Sequence, residues 1–154
     1  MRRLSLLLAV SFFVLAGDAA AMIQIDRGIA GARLGATRDD VRAALGKPAK
    51  AAGGRNEFGR WVRYDYAGGL RVFFQGRERV TSVQLTGLGD RTAKGVGIGS
   101  TQAEVVAGVP GVKCETIEGV TSCYTNDFLP GKRVTSFHFT DGKVALLSVG
   151  IVID

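Results

Sequence analysis

The sequence has few of the residues from which catalytic and metal sites are usually built. Its 154 residues include one histidine, two cysteines and one tryptophan. A structural zinc site normally takes four ligands, and two cysteine sulfurs with one histidine imidazole supply only three. No Gly-x-Ser-x-Gly segment occurs, and no nucleophile in a recognisable motif accompanies the single histidine, His138. The sequence therefore predicts a protein that is not an enzyme and that uses no metal or cofactor.

Long hydrophobic runs are absent after the first 21 residues. Residues 1–21 combine a short basic start, an apolar run over residues 4–16 and small residues that end at Ala21. This order is typical of a cleaved secretory signal, and the apolar run is too short to span a bilayer. We expect export to the periplasm or the medium, cleavage after Ala21 and no membrane span.

Charge of one sign is only weakly in excess. The chain has 20 lysines and arginines against 14 acidic residues, which gives a formal net charge of +6. The basic residues are scattered and do not form the stripe with which proteins follow a phosphate backbone. The excess favours acidic partners, and its distribution predicts no nucleic-acid binding.

The two cysteines, Cys114 and Cys123, both lie in the part expected to be exported. An even number of cysteines in an oxidising compartment predicts a disulfide bond. The loop that this bond would close is short. We therefore expect the disulfide to cross-link a β-hairpin.

An internal repeat organises the rest of the chain. Residues 31–41 recur as residues 95–105, and residues 80–85 recur as residues 144–149. Both matches have the same offset of 64 residues. Two matching blocks in one register indicate a duplicated unit.

Each copy begins with a capping box, in which a threonine hydroxyl and a carboxylate three residues later satisfy backbone donors at the start of a helix. The boxes are formed by Thr37 with Asp40 and by Thr101 with Glu104. They predict helices over residues 38–45 and 102–107.

After each helix the pattern changes to alternating apolar and polar residues, the period of a half-buried strand. The predicted strands cover residues 61–66, 70–75 and 80–85 in the first copy, and a hairpin across the cysteines, residues 135–139 and residues 145–149 in the second. We expect an α+β fold of two tandem units, each a short helix followed by an antiparallel β-meander, with the helix packed on one sheet face. The expected divisions are a signal peptide (1–21), a first unit (22–87) and a second unit (88–154).

Four segments resemble a known family. The octapeptides Leu-Gly-Ala-Thr-Arg-Asp-Asp-Val at 34–41 and Ile-Gly-Ser-Thr-Gln-Ala-Glu-Val at 98–105 resemble the signature of the tandem-repeat β-lactamase inhibitory proteins. Residues 114–123 and 137–144 are also similar to stretches of that inhibitor. The same unit occurs singly in the outer-membrane assembly lipoproteins of the SmpA/OmlA type.

The resemblance implies an exported, non-catalytic module that binds another protein. The alternative that it implies is a structural factor of cell-envelope assembly, of the lipoprotein type. Such a factor would lack its lipid anchor here, because no cysteine lies near the expected cleavage site.

The residues expected to bind a partner lie on the sheet face that points away from the helices. Alternation places Trp61, Arg63, Arg71 and Phe73 on that face of the first unit and His138 at the matching place in the second. Tryptophan, phenylalanine and arginine are enriched at protein interfaces. Two alternatives are that loops or the other unit cover Trp61 and Phe73, and that His138 is a solvent-accessible strand residue without a role.

Overall fold

The structure is a computed structural model that describes residues 22–76 and 78–154. The expected signal peptide and the cleavage after Ala21 lie outside the described residues. Within the described ranges, no helix is long and apolar enough to cross a membrane.

Most of the regular structure is β: 48% of the described chain is strand and 14% is helix. The strands are β1 (Ile23–Gln24), β2 (Gly28–Ile29), β3 (Ala32–Arg33), β4 (Lys50–Asn56), β5 (Gly59–Asp65), β6 (Leu70–Gln75), β7 (Val80–Leu85), β8 (Lys113–Ile117), β9 (Val120–Tyr124), β10 (Arg133–Thr140) and β11 (Lys143–Ile151). The helices are α1 (Arg38–Leu45) and α2 (Gln102–Gly108), and a single 3₁₀ turn spans Ala67–Gly69 between β5 and β6.

The eight longer strands form one continuous antiparallel sheet. Its strand order is β4-β5-β6-β7-β11-β10-β9-β8. The two halves of the chain meet at β7 and β11, where Leu85 pairs with Leu147 and Val83 pairs with Val149. The short strands β1, β2 and β3 form a separate three-stranded sheet, and β2 packs against β7 and β11.

This architecture corrects the fold class expected from the sequence. The expectation of an α+β fold made of tandem helix-and-meander units is wrong, because the protein is mostly β and one large sheet runs through both halves. Alternation identifies a strand but does not show which edges pair, and pairing β7 with β11 removes two exposed edges at once. The pattern also misses β4, because its central residues are alanine and glycine, which are depleted in strands.

Both helices begin as predicted. Thr37 Oγ1 accepts a hydrogen bond from the Asp40 amide at 3.2 Å, and the Asp40 carboxylate accepts one from the Thr37 amide at 2.9 Å. Thr101 and Glu104 form the same two bonds at 3.3 and 2.7 Å. The capping boxes are therefore confirmed, and α2 extends one residue further than expected.

Backbone contacts recur at the 64-residue offset. The Gly35 amide donates to the Val80 carbonyl, and the Gly99 amide donates to the Val144 carbonyl, both at 2.8 Å. The segment before each helix is thus bonded to the start of β7 or β11, the two strands at the centre of the large sheet.

One hydrophobic core lies on one side of the large sheet. The helices contribute Val41 and Val105, which are 1% and 0% exposed. The strands contribute alternate residues, among them Tyr64, Val72, Phe74, Val83, Leu85, Phe137, Leu147 and Val149. We call the opposite side of this sheet the open face.

The carboxylates of the two capping boxes should stabilise the fold when they are ionised, and acid should remove this stabilisation. Hydrogen bonds from the backbone and then the side chain of Thr37 hold the pKa of Asp40 below its usual 3.8, and Thr101 lowers the pKa of Glu104 from 4.5 in the same way. A carboxylate with a lowered folded-state pKa stabilises the fold above its unfolded pKa, and this stabilisation is lost as pH falls through the folded value. The double variant Asp40→Asn/Glu104→Gln should therefore lose less stability between pH 7 and pH 3 than the parent chain does.

Urea denaturation at the two pH values measures this difference. Asp39→Asn is the matched control, because Asp39 lies in the first turn of α1 but outside the capping box. An acid loss as large in the double variant as in the parent would contradict the prediction.

Candidate interface on the open sheet face

The open face of β5 and β6 brings four of the predicted residues together. Arg63 on β5 lies directly opposite Phe73 on β6, and Arg71 on β6 lies opposite Asp65 on β5. Trp61 is the next residue of β5 on the same face as Arg63, since successive strand side chains point to opposite sides. We call Trp61, Arg63, Arg71 and Phe73 the aromatic–arginine patch.

The indole of Trp61 lies against the edge strand β4. Gly54 is the cross-strand partner of Trp61, and a Cβ atom at Gly54 would lie 3.0 Å from the indole atoms Cε2, Cζ2 and Nε1. A Cβ atom at Gly53 would lie 3.1 Å from the Trp61 carbonyl oxygen. The two glycines therefore make room for Trp61, which is outside the buried core and partly exposed.

Asp65 binds both arginines of the patch, and the sequence pattern did not single it out. Arg63 Nη2 donates a hydrogen bond to Asp65 Oδ2 at 3.0 Å, and Arg63 Nε lies 2.8 Å from Oδ1 in an ion pair without good hydrogen-bond geometry. Arg71 Nε is 3.8 Å from the same Oδ1 atom. The side chain of Arg71 is 50% exposed, against 28% for Arg63. Arg63 is thus fixed on the sheet, and Arg71 keeps donors that face solvent.

His138 lies on the open face but outside the patch. It is on β10, opposite Leu146 on β11 and Ser122 on β9. Strands β7 and β11 separate β10 from β6, which corresponds to about 14 Å at the usual strand spacing. His138 and Phe73 both stand immediately before a β-bulge, so His138 occupies the corresponding place in the second half. In the part of the chain that the structure describes, no group of three His, Cys, Asp or Glu residues could hold a metal ion.

One row of side chains across the open face, between the patch and the far edge, is small or polar, and its Ser136 is buried. Gln84 on β7, Ser148 on β11 and Ser136 on β10 are successive cross-strand partners. Beyond them, Tyr124 on β9 packs against Phe128, with ring centroids 5.1 Å apart. Phe128 is 57% exposed. A second aromatic group, which the sequence pattern did not indicate, therefore flanks the face at β9.

Cys114 and Cys123 form the predicted disulfide. They are cross-strand partners in the β8–β9 hairpin, and Cys123 is fully buried. The disulfide supports export, because such bonds persist in oxidising compartments.

No protein-family model matches the sequence, and no curated protein matches it either. Solved structures that are similar to this chain include three bacterial proteins. A DUF4309 family protein (YjgB) from Bacillus subtilis is 18% identical, over 85% of this chain and 88% of that one, with a TM-score of 0.51. An extracellular protein containing a SCP domain from Bacillus anthracis is 10% identical, over 90% of this chain and 50% of that one, with a TM-score of 0.52. A cysteine-rich secretory protein from Staphylococcus aureus is 13% identical, over 77% and 44%, with a TM-score of 0.49.

The chain spans half or less of the SCP-domain and cysteine-rich secretory proteins. None of the three structures is a β-lactamase inhibitory protein or an assembly lipoprotein, so that resemblance stays a prediction. At these identities the likeness concerns the fold alone, and the chain shares its fold with the DUF4309 family protein and with about half of the SCP-domain protein.

Proposed function

We propose that the chain is an exported, non-catalytic module that binds another protein through the open face of its large sheet. One observation carries the proposal: the β5–β6 register sets Arg63 opposite Phe73 and leaves two aromatic and two arginine side chains on one side of the sheet, outside the core. Tryptophan and arginine are the residue types most enriched among interface hot spots. The aromatic–arginine patch is thus the centre of the proposed interface.

The charges of the patch favour a partner surface that combines apolar and acidic groups. Asp65 neutralises one of the two arginines, and Arg71, half exposed, can offer a forked pair of hydrogen bonds to a carboxylate. Because Arg63 is already held by Asp65, little side-chain entropy is lost there on binding. Trp61 and Phe73 supply the apolar area next to these cations.

Affinity capture from the exported fraction tests this proposal. The bait is residues 22–154, the chain expected after cleavage, and the variant is Arg71→Glu, which reverses the charge at the exposed edge of the patch. We expect the Arg71→Glu bait to capture about one tenth or less of the partner that the parent bait captures, since opposed like charges at an interface cost several kcal/mol. Lys94→Glu is the matched control, because Lys94 is also an exposed cation and lies in the loop before α2.

The three baits, which are the parent chain, Arg71→Glu and Lys94→Glu, separate the possible outcomes. A protein lost by Arg71→Glu and kept by Lys94→Glu would support the proposal. If that protein is a component of the outer membrane, the assembly-factor alternative is favoured. Proteins captured equally by all three baits would contradict binding through the patch.

A further inference from the structure

The strand β4 forms one end of the large sheet, and within residues 22–76 and 78–154 it pairs only with β5. We propose that β4 is a second docking site, which takes up an extended, acidic segment of another protein as an additional strand. The proposal concerns the edge of the sheet rather than its open face. It shares Trp61 with the aromatic–arginine patch, but it is tested at Arg55 and Arg60, which lie outside the patch, so its failure can be told apart from failure of the function proposed above.

The edge of β4 lacks most of the features that usually protect an edge strand. Proteins protect such edges with proline, β-bulges, charged side chains or a covering segment, and the charged residues of β4, Lys50 and Arg55, are confined to its ends. β4 contains no proline, and all seven of its residues pair with β5 without a register shift. Its four central residues are Ala51, Ala52, Gly53 and Gly54, and all seven residues of the strand are exposed except Ala52, which is partly buried. The outward backbone groups of β4 are thus accessible along its length.

The opposite edge of the sheet, β8, provides a contrast. β8 has five residues, and its Cys114 is bonded covalently to β9. Lys113 forms an ion pair of 2.7 Å with Asp127, a residue of the loop that follows β9. Charge, a covalent bond and a neighbouring loop therefore all restrict this edge, whereas among the described residues β4 has no disulfide, and its own charges, Lys50 and Arg55, lie near its ends.

The charges around β4 indicate the chemistry of the incoming segment. Lys50 and Arg55 stand near the two ends of β4, and Arg60 of β5 lies directly opposite Arg55. Like charges opposite one another are destabilising. Within residues 22–76 and 78–154, none of these three cations has a carboxylate oxygen within 4.0 Å. An acidic strand would neutralise them, whereas a second copy of this chain would bring the same cations to the edge.

Trp61 adds an apolar contact at the same place. Its indole lies on Gly54, and a surface hollow beside the ring is lined by Gly53, Gly54, Arg55, Arg60 and Trp61. A strand added to β4 would have a residue opposite Gly54, where the ring lies, and facing residues of adjacent strands lie close together, so one of its side chains would lie beside the ring. Backbone hydrogen bonds supply affinity in such strand addition, and alternate side chains supply specificity.

Three labelled peptides matched in length to β4 test the proposal by fluorescence anisotropy. The first alternates valine with glutamate, the second alternates valine with lysine, and the third is the glutamate peptide with every backbone amide N-methylated, so that neither of its edges can donate to β4. We expect the glutamate peptide to bind at least about tenfold tighter than either of the others, because it alone combines acidic side chains with a strand edge that can pair. Amide shifts in a nitrogen-15 NMR titration should concentrate on β4 and on the Trp61 indole.

Variants of the chain complete the test. Arg55→Glu/Arg60→Glu should weaken the glutamate peptide by about tenfold or more and Lys94→Glu should not, since only the first pair lies at the edge. Equal binding of the N-methylated peptide, absence of binding by the glutamate peptide, or shifts confined to β8 would each overturn the proposal. If sedimentation showed a dimer and the NMR spectra placed its contact at the β4 amides, the proposal would also be overturned. The occupant of the edge would then be a second copy of the chain.

Discussion

Replacing Asp26 with alanine is expected to lower the free energy of unfolding by about 3–4 kcal/mol, a large share of the stability of a domain of this size. The Asp26 carboxylate accepts hydrogen bonds from Thr125 Oγ1 at 2.6 Å, Thr135 Oγ1 at 2.8 Å and Asn126 Nδ2 at 2.9 Å. The Asp26 amide in turn donates to Thr135 Oγ1 at 2.7 Å. Asp26 thereby links the turn between β1 and β2 to the β9–β10 connection, about a hundred residues away in sequence.

The backbone of Asp26 adds to the expected loss. Its φ is 56°, in the left-handed region, where aspartate and asparagine are tolerated better than alanine. Alanine would also leave the two threonine hydroxyls without their acceptor, and Thr135 is fully buried. Asp26→Asn keeps one carbonyl oxygen and suits the same φ, so it should cost no more than about half as much as alanine.

Urea denaturation of the two Asp26 variants measures these losses. Asp141→Ala is the matched control, because Asp141 has a φ of 51° in the β10–β11 turn and its side chain forms no hydrogen bond or ion pair among the described residues. We expect this control to cost about 1 kcal/mol, the backbone contribution alone. If Asp26→Ala cost no more than Asp141→Ala, the hydrogen-bond network would be excluded as a source of stability.

The sequence predicted the local elements of the fold because local rules determine them. The capping box of Thr37 and Asp40 involves residues three apart, and the structure has both of its hydrogen bonds. The β8–β9 hairpin follows from the nearby pair Cys114 and Cys123. Period-two alternation identified β5, β6, β7, β10 and β11, since each has one face toward the core.

The joining of the two halves could not be predicted in the same way. The pairing of Leu85 with Leu147 connects strands far apart in sequence, and alternation is the same whichever edge a strand joins. The Asp26 network could not be predicted for the same reason, since its partners Thr125 and Thr135 are 99 and 109 residues away in sequence. An isolated aspartate in a short turn gives no sign of such distant partners.

The candidate interface could likewise be predicted from the sequence only in its local part. Alternation placed Trp61 and Arg63 on one face, because residues two apart on a strand point the same way. It could not give the distance to His138, which depends on the order of the intervening strands, β7 and β11. It also left Asp65 unassigned, although its bonds to Arg63 and Arg71 decide which of the two cations is available to a partner.

Replacing Trp61 with alanine is expected to weaken the complex with a captured partner by about 2 kcal/mol or more, as truncation of a hot-spot tryptophan does. The ring lies at the centre of the proposed interface, and neither β4 nor a loop buries it completely. The free energy of unfolding should change by less than about 1 kcal/mol, because the ring packs on glycine backbone rather than in the core. Calorimetric titration with the partner and urea denaturation of the same preparation measure the two quantities.

Phe58→Ala is the matched control for the Trp61 measurement. Phe58 is an aromatic residue that is 41% exposed in the β4–β5 turn, outside the aromatic–arginine patch. Its truncation should leave partner affinity within about twofold of the parent, since contacts outside a hot spot contribute little. Gly54→Ala provides an intermediate case, because the added Cβ atom would displace the indole without removing it. If Trp61→Ala instead unfolded the protein while the remaining folded fraction bound the partner normally, the ring would belong to the core and the interface would have to lie elsewhere on the open face.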